Sequence, residues 1–128
     1  MIKHKLPSGA ELGITPLPVE EAWAVTQAVL KEIGQAKLDL KGMDLEKILA
    51  SDVMAAKDAV CALLASDIVL EATKKCFSRC TYNSVKIADG KVFEPVEARR
   101  DFLFAAFYGL KENIYPFFGS LISFLQAT

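Results

Sequence analysis

Two short alternating runs open the chain, Ile2, His4, Leu6 and then Leu12, Ile14, with the turn-forming "PSGA" between them. Period two across a proline and glycine break predicts a small β-hairpin over residues 2–6 and 11–15. From Val19 the spacing becomes helical, with Val19, Ala22/Trp23, Thr26, Val29/Leu30 and Ile33 on one side. Pro18 suits the first turn of that helix, and Glu20 and Glu21 favour the positive end of its dipole. Lys31 lies in the far half and Gly34 marks a stop.

The stretch "QAKLDLKGMD" is expected to be a loop or short strand, with Asp44 capping the next helix. Helical spacing resumes at Leu45, Ile48/Leu49, Val53, Ala56, Val60 and Leu63/Leu64. Ser51 and Asp52 cap better than they propagate, which offers a place to split this stretch into two helices. Ser66 or Asp67 begins another helix, running to about Arg79. Its acids, Asp67 and Glu71, come first and its bases, Lys74, Lys75 and Arg79, come last, as the dipole prefers.

In "TYNSVKIADGKVFEP" the period returns to two. Val85 and Ile87 alternate, Asp89–Gly90 supplies a turn and Val92 continues, predicting a second hairpin near residues 84–93. A last helix begins near Val96 with the seam Leu103, Phe107, Leu110 and Ile114. Pro116 is expected to kink or interrupt it, and Phe117, Leu121 and Phe124/Leu125 continue the pattern. The expected fold is α+β and predominantly α-helical, with four to five helices and two small hairpins. No repeat, low-complexity segment or linker divides residues 1–128, so one domain is expected.

Composition narrows the function classes. The chain has 128 residues, 52% apolar and 24% charged, enough for one core. Lysine and arginine number 15 against 16 acids, a balance unlike that of a protein held by phosphate contacts, so no nucleic-acid partner is expected. "MIKHKLPSGAEL" lacks the long apolar run of a signal peptide, and the C-terminal apolar segment is too short to span a bilayer. That segment also lacks the basic face of an interfacial helix, so no membrane partner is expected. Three cysteines without a secretion signal point to reduced thiols in a cytoplasm.

The stretch "KKCFSRC" is the first place to look for chemistry. Cys76 and Cys80 are four apart and share a helix face. Zinc needs about four ligands, and only Cys61 and the remote His4 are left to add, neither in a paired spacing. The pair is not a C-x-x-C redox motif, and buried structural thiols are the expected reading. His4, the sole histidine, is expected to be a solvated strand residue, which leaves Ser-His and Cys-His schemes without a base. Glu94, Glu97 and Asp101 are closely spaced carboxylates, but a helix start favours acids anyway. Arg99 and Arg100 offer polar contacts to a partner, against the simpler reading of salt bridges to those acids. No catalytic residue, cofactor or metal is expected. A thiol-dependent enzyme using Cys76 or Cys80 is the minor alternative.

The C-terminal quarter is the unusual part. Eight of the 12 aromatic residues lie between Phe102 and Phe124, and residues 113–128 carry no charged side chain. Tyr115, Phe117, Phe118, Leu121, Ile122, Phe124 and Leu125 give that segment more apolar faces than one core is expected to cover. They form the candidate surface for a partner or for self-association. The competing reading buries this helix on all sides.

Four segments in this order, "KLPSGAELGITPLPVEEAWAVTQAVLKE", "RCTYN", "VFEPVEARRDF" and "LKENIYPFF", resemble the tail assembly chaperones of long-tailed bacteriophages and prophages. The resemblance covers most of the chain and implies a non-enzymatic, mostly helical protein that forms homo-oligomers. It implies binding and solubilising of the tape measure protein and recruitment of tail tube protein. It also implies a place in the bacterial cytoplasm and absence from the mature virion. A small cytoplasmic helical interaction module of another function is the alternative.

Overall fold

The computed structural model describes the backbone of residues 1–87 and 91–127, with side chains up to Phe118. The two opening runs form β1 (Ile2–Lys5) and β2 (Glu11–Ile14), paired antiparallel so that His4 lies opposite Leu12 and Ile2 opposite Ile14. Leu6, Leu12 and Ile14 lie on the buried face of this hairpin, each almost without exposure. Burying a leucine or isoleucine side chain fully stabilises the fold by about 1.5–3 kcal/mol.

Five helices follow the sequence pattern closely. α1 (Val19–Ala36) runs past Gly34 and stops where Lys37 turns left-handed, with φ of 50°. α2 (Leu45–Ala50) starts on Asp44, whose carboxylate accepts the Lys47 N–H at 2.8 Å. α3 (Lys57–Leu64) is separate from it. The break falls at Ser51, which is extended, and Asp52, whose side chain accepts from the Ala55 N–H at 2.9 Å. α4 (Asp67–Phe77) starts on Ser66, whose hydroxyl accepts the Val69 N–H and donates to Glu32 of α1. α5 (Val96–Ala127) is helical throughout. Pro116 therefore does not interrupt it, although a proline N cannot donate to the Glu112 carbonyl four residues back.

The second hairpin differs from the sequence expectation. β3 (Cys80–Tyr82) and β4 (Val85–Lys86) turn at Asn83 and Ser84, with φ of 50° and 67°. Two successive left-handed residues are what a two-residue hairpin loop requires. Asn83 is also tied to β2, donating its N–H to the Glu11 carbonyl and accepting the Glu11 N–H, both at 2.8 Å. The expected turn at Asp89–Gly90 lies outside the described residues. Val92 is not in a strand, because Lys91–Phe93 form a single 3-10 turn.

The two hairpins join into one antiparallel sheet in the order β1-β2-β3-β4, with Ile14 paired to Cys80 and Leu12 to Tyr82. One core gathers α1 to α5 around Val29, Ile48, Val69 and Ile114. A second lies between the sheet and α5 around Leu12, Phe77, Ala105 and Ala106, with Phe93 and Phe102 beside it. Leu64, Phe104 and Tyr108 pack against both cores.

His4 is not solvated as expected. Its ring stacks on Tyr108, with centroids 4.0 Å apart and planes 4° from parallel. Alternation along β1 directs its side chain to the same face as Leu6.

Candidate interaction surface

The C-terminal aromatics are positioned by the way α1 enters the fold. Leu17 donates its N–H to Asn113 Oδ1 at 2.8 Å, and Asn113 Nδ2 donates to the Gly109 carbonyl at 2.8 Å. Both links are buried, so the start of α1 is fixed beside one turn of α5. Six residues on, the Trp23 ring meets the Phe117 ring at 5.2 Å. The two contacts set the start of α1 alongside the turn of α5 from Asn113 to Phe117.

On α1 the sequence stripe divides in two. Ala22, Val25, Thr26 and Val29 are buried, whereas Val19, Trp23 and Leu30 are 70%, 45% and 40% exposed. Positions 19, 23 and 30 fall on one side of a helix. They form an exposed apolar band, interrupted by fully buried Thr26 between Trp23 and Leu30, and Trp23 meets α5 at Phe117. Tyr115, Phe117 and Phe118 are half-buried and pack against the helical core. Of the three, Phe117 meets the band, through Trp23. Leu121, Ile122, Phe124 and Leu125 belong to the same helix, but their side chains lie outside the described residues.

Sequence periodicity alone places Trp23 in the core and gives no sign of its role beside Phe117. The signal available is the width of the α1 stripe, which includes more large apolar residues than one buried face holds. On the other flank of α1, a shallow apolar groove of about 600 Å³ separates it from α4. Ala24, Val25, Ala28, Ile68 and Ala72 line that groove, with Lys74 and Lys75 along it.

The remaining candidate residues lie apart from this surface. Arg99 and Arg100 sit in the first turns of α5, about 24 Å along the helix axis from Tyr115. Arg99 pairs with Glu94 at 3.8 Å and donates Nε to the Glu94 carbonyl, while Arg100 Nε donates to the Glu97 carbonyl. Asp101 turns away from both acids into the protein and is fully buried. Its carboxylate accepts the Ser8 N–H at 3.0 Å, the Ser8 hydroxyl and the Tyr82 hydroxyl at 2.7 Å. The sequence points only to a generic helix-start acid here. In the structure it ties the β1–β2 turn and β3 to α5.

Cys76 and Cys80 are fully buried, as expected, and the Cys80 thiol points to the Cys76 carbonyl at 3.2 Å. Burial pushes the Cys76 thiol up to about 12, with the neighbouring Cys80 adding to it, and burial pushes Cys80 up to about 11. The thiolate is the reactive form. A thiol reagent at neutral pH is therefore expected to label exposed Cys61 rapidly, and Cys76 and Cys80 only at the rate of opening. Mass spectrometry over a time course gives the check: rapid triple labelling would show that the two thiols are accessible.

Among the described residues, no three His, Cys, Asp or Glu side chains are placed to hold a metal ion. No helix among them is long and apolar enough to cross a membrane. Comparison of the chain with protein-family models, with curated proteins and with solved structures finds no match.

Proposed function

We propose that the chain is a non-enzymatic tail assembly chaperone of a long-tailed bacteriophage or prophage. In this reading it self-associates, keeps the tape measure protein soluble and helps recruit tail tube protein in the bacterial cytoplasm, and it is left out of the virion. The observation that carries the reading is the exposed apolar side of α1 with Val19, Trp23 and Leu30, where Trp23 meets Phe117 of α5. It supports a surface that receives helices, because an amphipathic helix docks through apolar anchors on one side. The resemblance of the four sequence segments supports the choice of partner.

The test is co-expression with the long helical protein encoded beside this one, followed by affinity capture. The partner is expected to become soluble and to co-elute. Phe117→Asp places a charge in the band, and Trp23→Lys does so at a more exposed position that leaves the core intact. Each is expected to reduce captured partner at least tenfold, the size of losing an aromatic anchor. A partner that remains insoluble with wild-type protein overturns the chaperone reading. The band would then belong to a helical interaction module with another partner.

A further inference from the structure

The histidine stacked on Tyr108 has one unusual atom. His4 Nε2 is buried and has no hydrogen-bond partner. Glu112 Oε1, one helical turn beyond Tyr108 on α5, lies 3.8 Å from it. That separation is too long for a hydrogen bond and short enough for an ion pair. A buried polar atom left without a partner is destabilising, so a place where the missing partner stands nearby calls for a physical reason.

We propose that His4 and Glu112 form a proton-gated clasp that fastens the N-terminal hairpin to α5, engaged when the imidazole is protonated and loose when it is neutral. Protonation makes both ring nitrogens donors, and a small rotation of the Glu112 side chain closes the contact. Among the described residues, the charged neighbours on β1 and α5 are engaged elsewhere. On β1, Lys3 and Lys5 alternate to the opposite face, where Lys3 meets Glu11 of β2 at 3.6 Å. The cross-strand neighbour of His4 on β2 is Leu12, which is apolar. On α5, Tyr108 contributes its ring, and Lys111 lies over Phe107 with its ammonium 6.0 Å from the ring centre.

The position of the clasp gives it a consequence. Glu112 is the residue whose backbone carbonyl loses its helical donor to Pro116. The clasp therefore braces α5 at the turn where Pro116 removes one backbone hydrogen bond, just before the half-buried aromatics Tyr115, Phe117 and Phe118.

The direction with pH is set by the partner gained. The unfolded chain offers an imidazolium no such carboxylate, so proton uptake favours the docked hairpin. The contact is an ion pair only with a charged imidazole facing the Glu112 carboxylate, which lies 3.8 Å from it.

Amide exchange of residues 2–5, corrected for the intrinsic rate, tests the clasp in the full chain. At about pH 5.5, wild-type protein is expected to exchange about fivefold more slowly than Glu112→Gln, and at about pH 8 the two should agree. A ratio that is the same at both pH values overturns the proposal. So does a variant that fails to fold at about pH 8, which would show that the residues act independently of the proton.

Discussion

Asp101→Ala is expected to destabilise the protein by about 3 kcal/mol, lowering the midpoint of thermal unfolding by roughly 10 °C. The substitution removes the acceptor of the Ser8 N–H, the Ser8 hydroxyl and the Tyr82 hydroxyl in one step. It leaves these donors without their partner in a region where Asp101 itself has no exposure. Asp101→Asn keeps the shape and one acceptor, so a smaller loss of about 1 kcal/mol is expected.

The pair also separates charge from shape through pH. Burial is the largest influence on Asp101 and raises its carboxyl, but the hydrogen bonds from Ser8 and Tyr82 outweigh it and hold the group below its usual range. A depressed folded value means that the unfolded chain binds the proton more readily. The stabilising contribution is therefore full above the usual aspartate value of about 3.9, and declines as pH falls through the lowered one. Denaturant unfolding at about pH 7 and about pH 3 measures it. Wild-type protein should lose its advantage over Asp101→Asn on acidification. An advantage that persists unchanged would show that the carboxylate charge contributes nothing.

Asn113→Leu is expected to cost about 2 kcal/mol and to disturb the interaction surface. The new side chain approximates the volume of the old one, but leaves the Leu17 N–H buried without its acceptor. Because that bond fixes the start of α1 against α5, its loss loosens the approach of Trp23 to Phe117. Trp23 is the sole tryptophan, so its emission reports the contact directly. A red shift with a lower unfolding midpoint is the expected result. An unchanged spectrum with unchanged stability would remove Asn113 from the positioning of this surface.

Local features are legible in the sequence because their causes are local. Asp44 and Ser66 cap helices wherever they precede a helical pattern, and Ser51–Asp52 divide two helices for the same reason. The acid-to-base gradient of α4 likewise reflects its dipole. The turn at Asn83–Ser84 is hidden because Asp89–Gly90 carries the stronger two-residue signal. Asn83 is selected by its pair of hydrogen bonds to Glu11, a residue distant in the chain.

The same distinction runs through the candidate surface. Its aromatic richness is compositional and visible, and in the structure Phe117 meets Trp23, which is partly exposed. Which side of α1 remains exposed depends on how α1 docks, and no spacing within α1 encodes that. Asp101 and His4 look like a helix-start acid and a wet strand residue for the same reason. Their roles are set by Ser8, Tyr82, Tyr108 and Glu112, which the sequence does not place near them.

The central pairing of β2 with β3 joins Ile14 to Cys80 across nearly the whole helical insert. Closing so large a loop has a high entropic cost before any ladder bond repays it. During synthesis the first hairpin therefore emerges before the strand that pairs with its inner edge. Completion of the sheet is expected to follow the emergence of β3, and β2 has no partner on that side before then.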